Sequence, residues 1–134
     1  MNCSFEDCLV FDNILEEHSG DWGSAMIAYQ ERRKPDTDAI AGLAIENFYE
    51  MRDHVANATF VKKRKLEMKL EQAYTDYYSK YSLVTFRPDI PYSSARKRGI
   101  KQDELLLELC SDVDDIDALD LKAVHRKLQD AVAD

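Results

Sequence analysis

At 134 residues with a net charge of −8, the chain has the length of one domain, enough to bury a real core, and it is poorly suited to nucleic acid or an anionic membrane as its main partner. Hydrophobic residues make up 45% and charged residues 33%, while four Gly and three Pro leave few turns, so the elements should be few, long and mostly helical. No apolar run is long enough to span a bilayer and no signal-peptide pattern stands at the start. The three cysteines, Cys3, Cys8 and Cys110, form no C-x-x-C pair, which points to reduced thiols in a cytoplasmic protein, not to a disulfide frame or a zinc site.

The first expected helix runs from Met1 to His18. Ser4 can cap it, with Asp7 three residues on in the manner of a capping box, and Phe5, Cys8, Leu9, Phe11 and Leu15 give it an apolar side. A helix that begins at the first residue leaves two readings open, a cut chain or a short N-terminus. From Gly20 to Lys34 a second helix is expected, capped by Asp21, with Trp22, Ala25, Met26, Ala28 and Tyr29 as its stripe. Arg32, Arg33 and Lys34 close it where the helix dipole favours cations, and Pro35 separates it from the next.

The stretch Pro35 to Val55, PDTDAIAGLAIENFYEMRDHV, reads as the central helix, with Asp36, Thr37 or Asp38 at its cap. Ile40, Ala44, Met51 and Val55 recur at helical spacing on one face. Asn47 falls near the middle of that face, between Leu43 and Met51, flanked by Glu50 and His54. A buried amide without partners costs about 1–3 kcal/mol. Asn47 therefore either bonds neighbouring backbone or faces a ligand.

Thr59 to Ser79 reads as a long helix. Its basic run, Lys62 to Lys65, reads as a solvated face paired with Glu67 and Glu71. Tyr81 to Phe86 is β-prone, an edge strand or an extended connector, and Arg87-Pro88-Asp89 is a turn. Tyr92 to Cys110 returns to helix, with Gly99 placed to break it. Asp103 to Asp120 carries eight acidic residues and no Lys or Arg. Ser111–Asp120 is expected as a loop and Leu121 to Val132 as a last amphipathic helix, either packed on the rest or mobile.

Three pieces, RKPDTDAIA, ENFYEMRD and YSLVTF, occur in an order and spacing that resemble the C-terminal part of the kynurenine 3-monooxygenase family, from about Met1 to about Leu109. These are flavin-dependent aromatic hydroxylases. The resemblance implies a mainly α fold of five to six helices with at most one short strand near 81–86. Residues 1–110 would be the helical region of a flavin hydroxylase, and 111–134 an acidic linker and terminal helix. The chain contains no G-x-G-x-x-G, so FAD and NADPH are implied for the complete enzyme and none for this chain alone. An N-terminal FAD-binding portion becomes the implied partner, whether the chain is an excised piece, half of a split gene or a shortened reading frame.

By the same resemblance, the backbone at Met1 and Asn2 contacts the flavin, with the positive end of the first helix beside the reduced ring. Asn47 and Tyr81 are implied as contacts to L-kynurenine, with Glu50 and Met51 at or near the pocket; Tyr77 and Tyr78 compete with Tyr81 for its place. An amide and a phenol suit the amino and carboxylate groups of that substrate, and a thioether fills space beside its ring. No residue of this chain is implied as a catalytic nucleophile or metal ligand. Some family members carry a C-terminal membrane anchor, for which this tail is too polar. A second reading is a stand-alone helical binding or oligomerisation module, joining copies of itself through apolar faces left bare.

Overall fold

The computed structural model describes residues 2–54 and 56–133, and their side chains except at positions 2, 53 and 54. Six α-helices account for most of them, with no strand among the described residues. They are α1 (Asn2–Glu17), α2 (Trp22–Tyr49), α3 (Ala58–Ala73), α4 (Lys80–Phe86), α5 (Tyr92–Ser111) and α6 (Leu121–Val132). A π-helical segment, Glu50–His54, continues α2, and a 3-10 turn, Ile116–Ala118, precedes α6. The mainly α expectation is borne out.

Helix α1 starts at Asn2, so Ser4 lies inside the first turn and does not cap it. The chain then reverses through Ser19 and Gly20, both left-handed at φ 53° and 80°, and Asp21 caps α2 as expected, accepting from the Gly23 N–H. Glycine tolerates that backbone freely, and Ser19 bears the steric burden beside it. The separation expected at Pro35 does not occur: α2 runs through it for 28 residues. Proline removes one helical donor. What outweighs that loss is burial on a continuous stripe, Ala25, Arg33, Ala39 and Leu43, which lies on both sides of Pro35 and packs on α1 and α5. Asp36 accordingly caps another helix, accepting the Ser93 N–H at the start of α5 (2.8 Å).

Two further expectations are corrected. Helix α3 ends at Ala73, where Tyr74 turns extended, and not at Ser79. Residues 81–86 lie in α4, neither strand nor extended connector. The β preference of Val84, Thr85 and Phe86 is weak against tertiary packing. Lys80 and Leu83 are buried one turn apart, and Glu71 of α3 accepts the Ser79 N–H (3.0 Å), supplying the cap that Ser79 lacks. Gly99 does not break α5. It is buried where α4 crosses, and a Cβ there would lie 2.9 Å from Lys80 Cα.

The main apolar core joins α3, α5 and α6: Leu66, Leu70, Tyr77, Leu106, Cys110, Ile116, Val124 and Leu128. Fully burying such a Leu contributes about 1.5–3 kcal/mol. Residues past Ser111 therefore pack on the rest. Asp120 caps α6 at Lys122 and Ala123, and His125 stacks on Tyr74 at 3.9 Å. Among the described residues, no helix is long and apolar enough to cross a membrane.

Candidate functional site

The second half of α2 changes character along one stripe. Ala39 and Leu43 are buried, and the next positions on that stripe are Glu46 and Glu50. Their carboxylates meet cations from α4 and α5. Lys80 Nζ lies 2.6 Å from Glu50 Oε1, 2.8 Å from Asp103 Oδ2 and 3.5 Å from Glu46 Oε2. Arg96 binds the other oxygen of Glu46 through Nε (3.0 Å) and Nη2. On the far side Asp103 reaches Lys63 (2.7 Å), Lys63 reaches Glu67 (3.2 Å), and Glu67 accepts from Arg64 (2.7 Å).

The result is a chain of alternating charge, Arg64–Glu67–Lys63–Asp103–Lys80–Glu50 and Glu46–Arg96, that crosses the fold from α3 to α2. Lys63, Glu67 and Lys80 are nearly inaccessible, at 2%, 2% and 5% exposure. Buried ions are tolerated when paired and strongly destabilising when one partner is removed. Burial disfavours the Lys80 ammonium, but bonds to Asp103 and Glu50 outweigh it and hold its pKa above the ordinary lysine range. Burial raises the Glu67 carboxyl; Lys63 opposes this and Asp103 adds to it.

Tyr81 sits against this chain, its ring 5.1 Å from Lys80 Nζ. Burial raises the Tyr81 phenol above its usual range; the Lys80 charge works against this, and Glu50 and Glu46 work with it. The structure thus brings Glu50 and Tyr81 together around Lys80. Tyr77, the competitor, is committed to the apolar core, and Tyr78 lies beside Arg87 (5.3 Å).

Asn47 and Met51 form a separate, outward pair. Asn47 is exposed and its Nδ2 lies 3.7 Å from Met51 Sδ, a weak acceptor; Met51 is 68% exposed. The sequence led one to expect that the face on which they lie meets this chain's core; it does not. Ile40 is half-buried, Ala44 and Met51 are exposed, and Val55 and the His54 side chain lie outside the described residues. Ile45, Phe48 and Tyr49 are exposed on the neighbouring face, with Arg52 stacked over Phe48 and Tyr49 at 5.5 and 4.9 Å. Below them the π-helical segment begins at Glu50, a local widening of the helix that often accompanies a functional site.

At the other end, Met1 and the Asn2 side chain lie outside the described residues; the Asn2 backbone begins α1. Arg33 is buried in α2 and ties down the first turns of α1. It donates to Asp7, to Glu6 (3.1 Å) and to the Cys3 carbonyl (3.2 Å), while Tyr92 donates to Glu6 (2.7 Å). Glu6 and Asp7, near that helix end, are thereby paired with Arg33. Phe5 and Leu9 are exposed beside it.

Sequence reasoning missed the charge chain. Lys63 belongs to the run expected as a solvated face, yet it is buried; Lys80, Asp103 and Arg33 were not singled out for pairing. The available signal was registration: Arg33 shares a helical face with Ala25 and Tyr29, and Glu46 and Glu50 share one with Ala39 and Leu43. Charges on an apolar stripe require opposite charges across from them.

A bare face of mixed polarity thus lies on α2 beside a buried ion chain. No protein-family model matches the chain. Curated proteins named kynurenine 3-monooxygenase do match it. The protein from Dictyostelium discoideum is 39% identical across 90% of this chain, that from Cytophaga hutchinsonii 38% across 88%, and that from Legionella pneumophila (strain Corby) 31% across 96%. The family resemblance read from the sequence is borne out: over nearly its whole length this is a kynurenine 3-monooxygenase-like sequence. It spans little more than a quarter of those relatives, 29%, 26% and 28% of their lengths.

Proposed function

We propose that this chain is the C-terminal helical part of a kynurenine 3-monooxygenase-like enzyme, a cytoplasmic flavoprotein that hydroxylates L-kynurenine to 3-hydroxykynurenine with FAD and NADPH. The flavin supplies the hydroxylating chemistry when bound. This chain's residues bind and orient. Asn47 and Tyr81 hold polar groups of the substrate, Glu50 lies at the edge of the pocket with its carboxylate held by Lys80, and Met51 fills space beside the substrate ring. The Met1 and Asn2 backbone and the first N–H groups of α1 face the flavin. Residues 1–110 carry these contacts, and 111–134 brace α3 and α5 from behind.

One observation carries the reading: Asn47, the amide that the sequence sets among apolar residues, is exposed together with Met51, Phe48 and Tyr49. A face of this kind calls for a cover from outside the chain. Alone, the chain hides it by self-association.

The test is reassembly. The chain is expressed alone and with the remaining N-terminal portion of the Cytophaga hutchinsonii protein, and kynurenine-dependent NADPH oxidation and 3-hydroxykynurenine are measured. The expected result is no flavin absorbance or turnover alone, and both upon reassembly. Turnover by the isolated chain, or a monomer that never associates with the N-terminal portion, would overturn the proposal.

A further inference from the structure

We propose that Lys80 is a positioning residue for the substrate-side wall: it holds Glu50, the first residue of the π-helical segment, in the orientation that Asn47 and Met51 need in order to share one binding face. The inference rests on the function proposed above and deepens it, by naming what keeps the wall in shape.

Three features converge on Lys80. Its backbone lies directly against α5 at Gly99, where a Cβ would come within 2.9 Å of the Lys80 Cα. Its side chain is 6% exposed and its ammonium is shared between Glu50 (2.6 Å) and Asp103 (2.8 Å), with Glu46 at 3.5 Å. Asp103 is anchored in turn by Lys63. Lys80 is therefore fixed from behind and reaches forward to a segment with a looser hydrogen-bond ladder. A π-helical turn is marginal by itself and persists when its surroundings hold it.

Glu46, Glu50, Asn47 and Met51 all lie within two turns of the same helix, so the rotation that Lys80 imposes on Glu50 also sets the direction of Asn47 and Met51. Tyr81 follows Lys80 in α4, and its phenol ring borders the same ammonium. A single cation thus registers the two elements that carry the proposed substrate contacts. Ordinary core packing does not require this arrangement: Leu83 of α4 and Leu43 of α2 are each buried beside it as apolar residues.

The experiment has two arms. In the first, backbone hydrogen exchange is followed in the full chain for Lys80→Met, Glu50→Gln, their combination, and Arg33→Met, which loosens α1 instead. Loss of the Lys80–Glu50 pair is expected to speed exchange of the Glu50–His54 amides about tenfold beyond any global change. The double variant should be no faster than either single one, and Arg33→Met should leave that segment alone. Glu50→Gln keeps the arm decisive if Lys80→Met fails to fold. In the second, the reassembled enzyme carrying Lys80→Met should show a KM for kynurenine raised about tenfold, a loss of about 1.4 kcal/mol, with kcat within about twofold.

Unchanged exchange at Glu50–His54 in both single variants would overturn the proposal. So would altered exchange with an unaltered KM, which would leave Lys80 a purely structural residue. Inactive reassembly of the unaltered chain would overturn the proposed function instead, and the exchange arm would still decide whether Lys80 sets the π-helical segment.

Discussion

Replacing Gly99 with Ala sets two effects of known size against each other. In the middle of an exposed helix the change would stabilise by about 0.5–1 kcal/mol, because Gly loses more backbone freedom on folding. Here the new methyl group would lie 2.6 Å from Lys80 Cγ, 2.8 Å from its Cβ and 2.9 Å from its Cα. A Cα cannot swing aside as a side-chain tip can, so α4 must move off α5, and overpacking of this kind costs about 1–3 kcal/mol. The net expectation is a destabilisation of about 1–2 kcal/mol, a drop in Tm of roughly 3–8 °C for a chain of this size. Gly42→Ala is the matched control. The atoms nearest its new Cβ would be those of the Arg96 guanidinium, at 3.0 Å, the far end of a side chain that can shift outward, so stability should be unchanged or slightly higher. Urea and thermal unfolding followed by far-UV circular dichroism measure both. A Gly99→Ala chain as stable as the parent would refute the close approach of α4 and α5, and with it the fixed placement of Lys80.

Arg33→Met should cost about 2–4 kcal/mol, below the upper range for fully buried pairs because Glu6 and Asp7 are partly hydrated once released. Denaturant unfolding reads the loss, and hydrogen exchange should place it in α1. The acid limb of stability should depend on Glu71. Burial pushes its pKa up, but the Ser79 N–H and the Ser82 and Ser79 hydroxyls outweigh that, and its folded pKa lies below the ordinary 4.5. A lowered carboxyl pKa stabilises above the unfolded value and loses that contribution as pH falls through the folded one. Glu71→Gln should therefore flatten the stability profile below about pH 4.5 and leave its shape at higher pH unchanged; an unaltered acid limb would show that Glu71 does not cap α4.

The helical class was legible because few Gly and Pro and repeated apolar spacing leave little else. Local signals that act within a few residues were legible too. Asp21 caps α2, and Leu121–Val132 forms α6, because a capping side chain and an amphipathic stripe need no distant partner. The misreadings share one cause. Pro35, the β-prone 81–86 segment and Gly99 are local breakers overruled by packing between elements far apart in sequence. Buried Lys63, Lys80 and Arg33 are invisible to a reading that sends charges to solvent, since their partners lie on other helices. Of the proposed substrate contacts, Glu50 and Tyr81 come together around Lys80. Asn47 and Met51 face outward, where the chain itself offers no cover, so the site is only partly drawn by this sequence.

The kynurenine KM of the reassembled enzyme carrying Asn47→Ala tests the central claim most directly. Asn47 is exposed, so the isolated variant should keep the parent's Tm. If the amide holds the substrate, KM rises about tenfold or more, the equivalent of one good hydrogen bond. An unchanged KM in an active enzyme would contradict the assignment of this face to kynurenine.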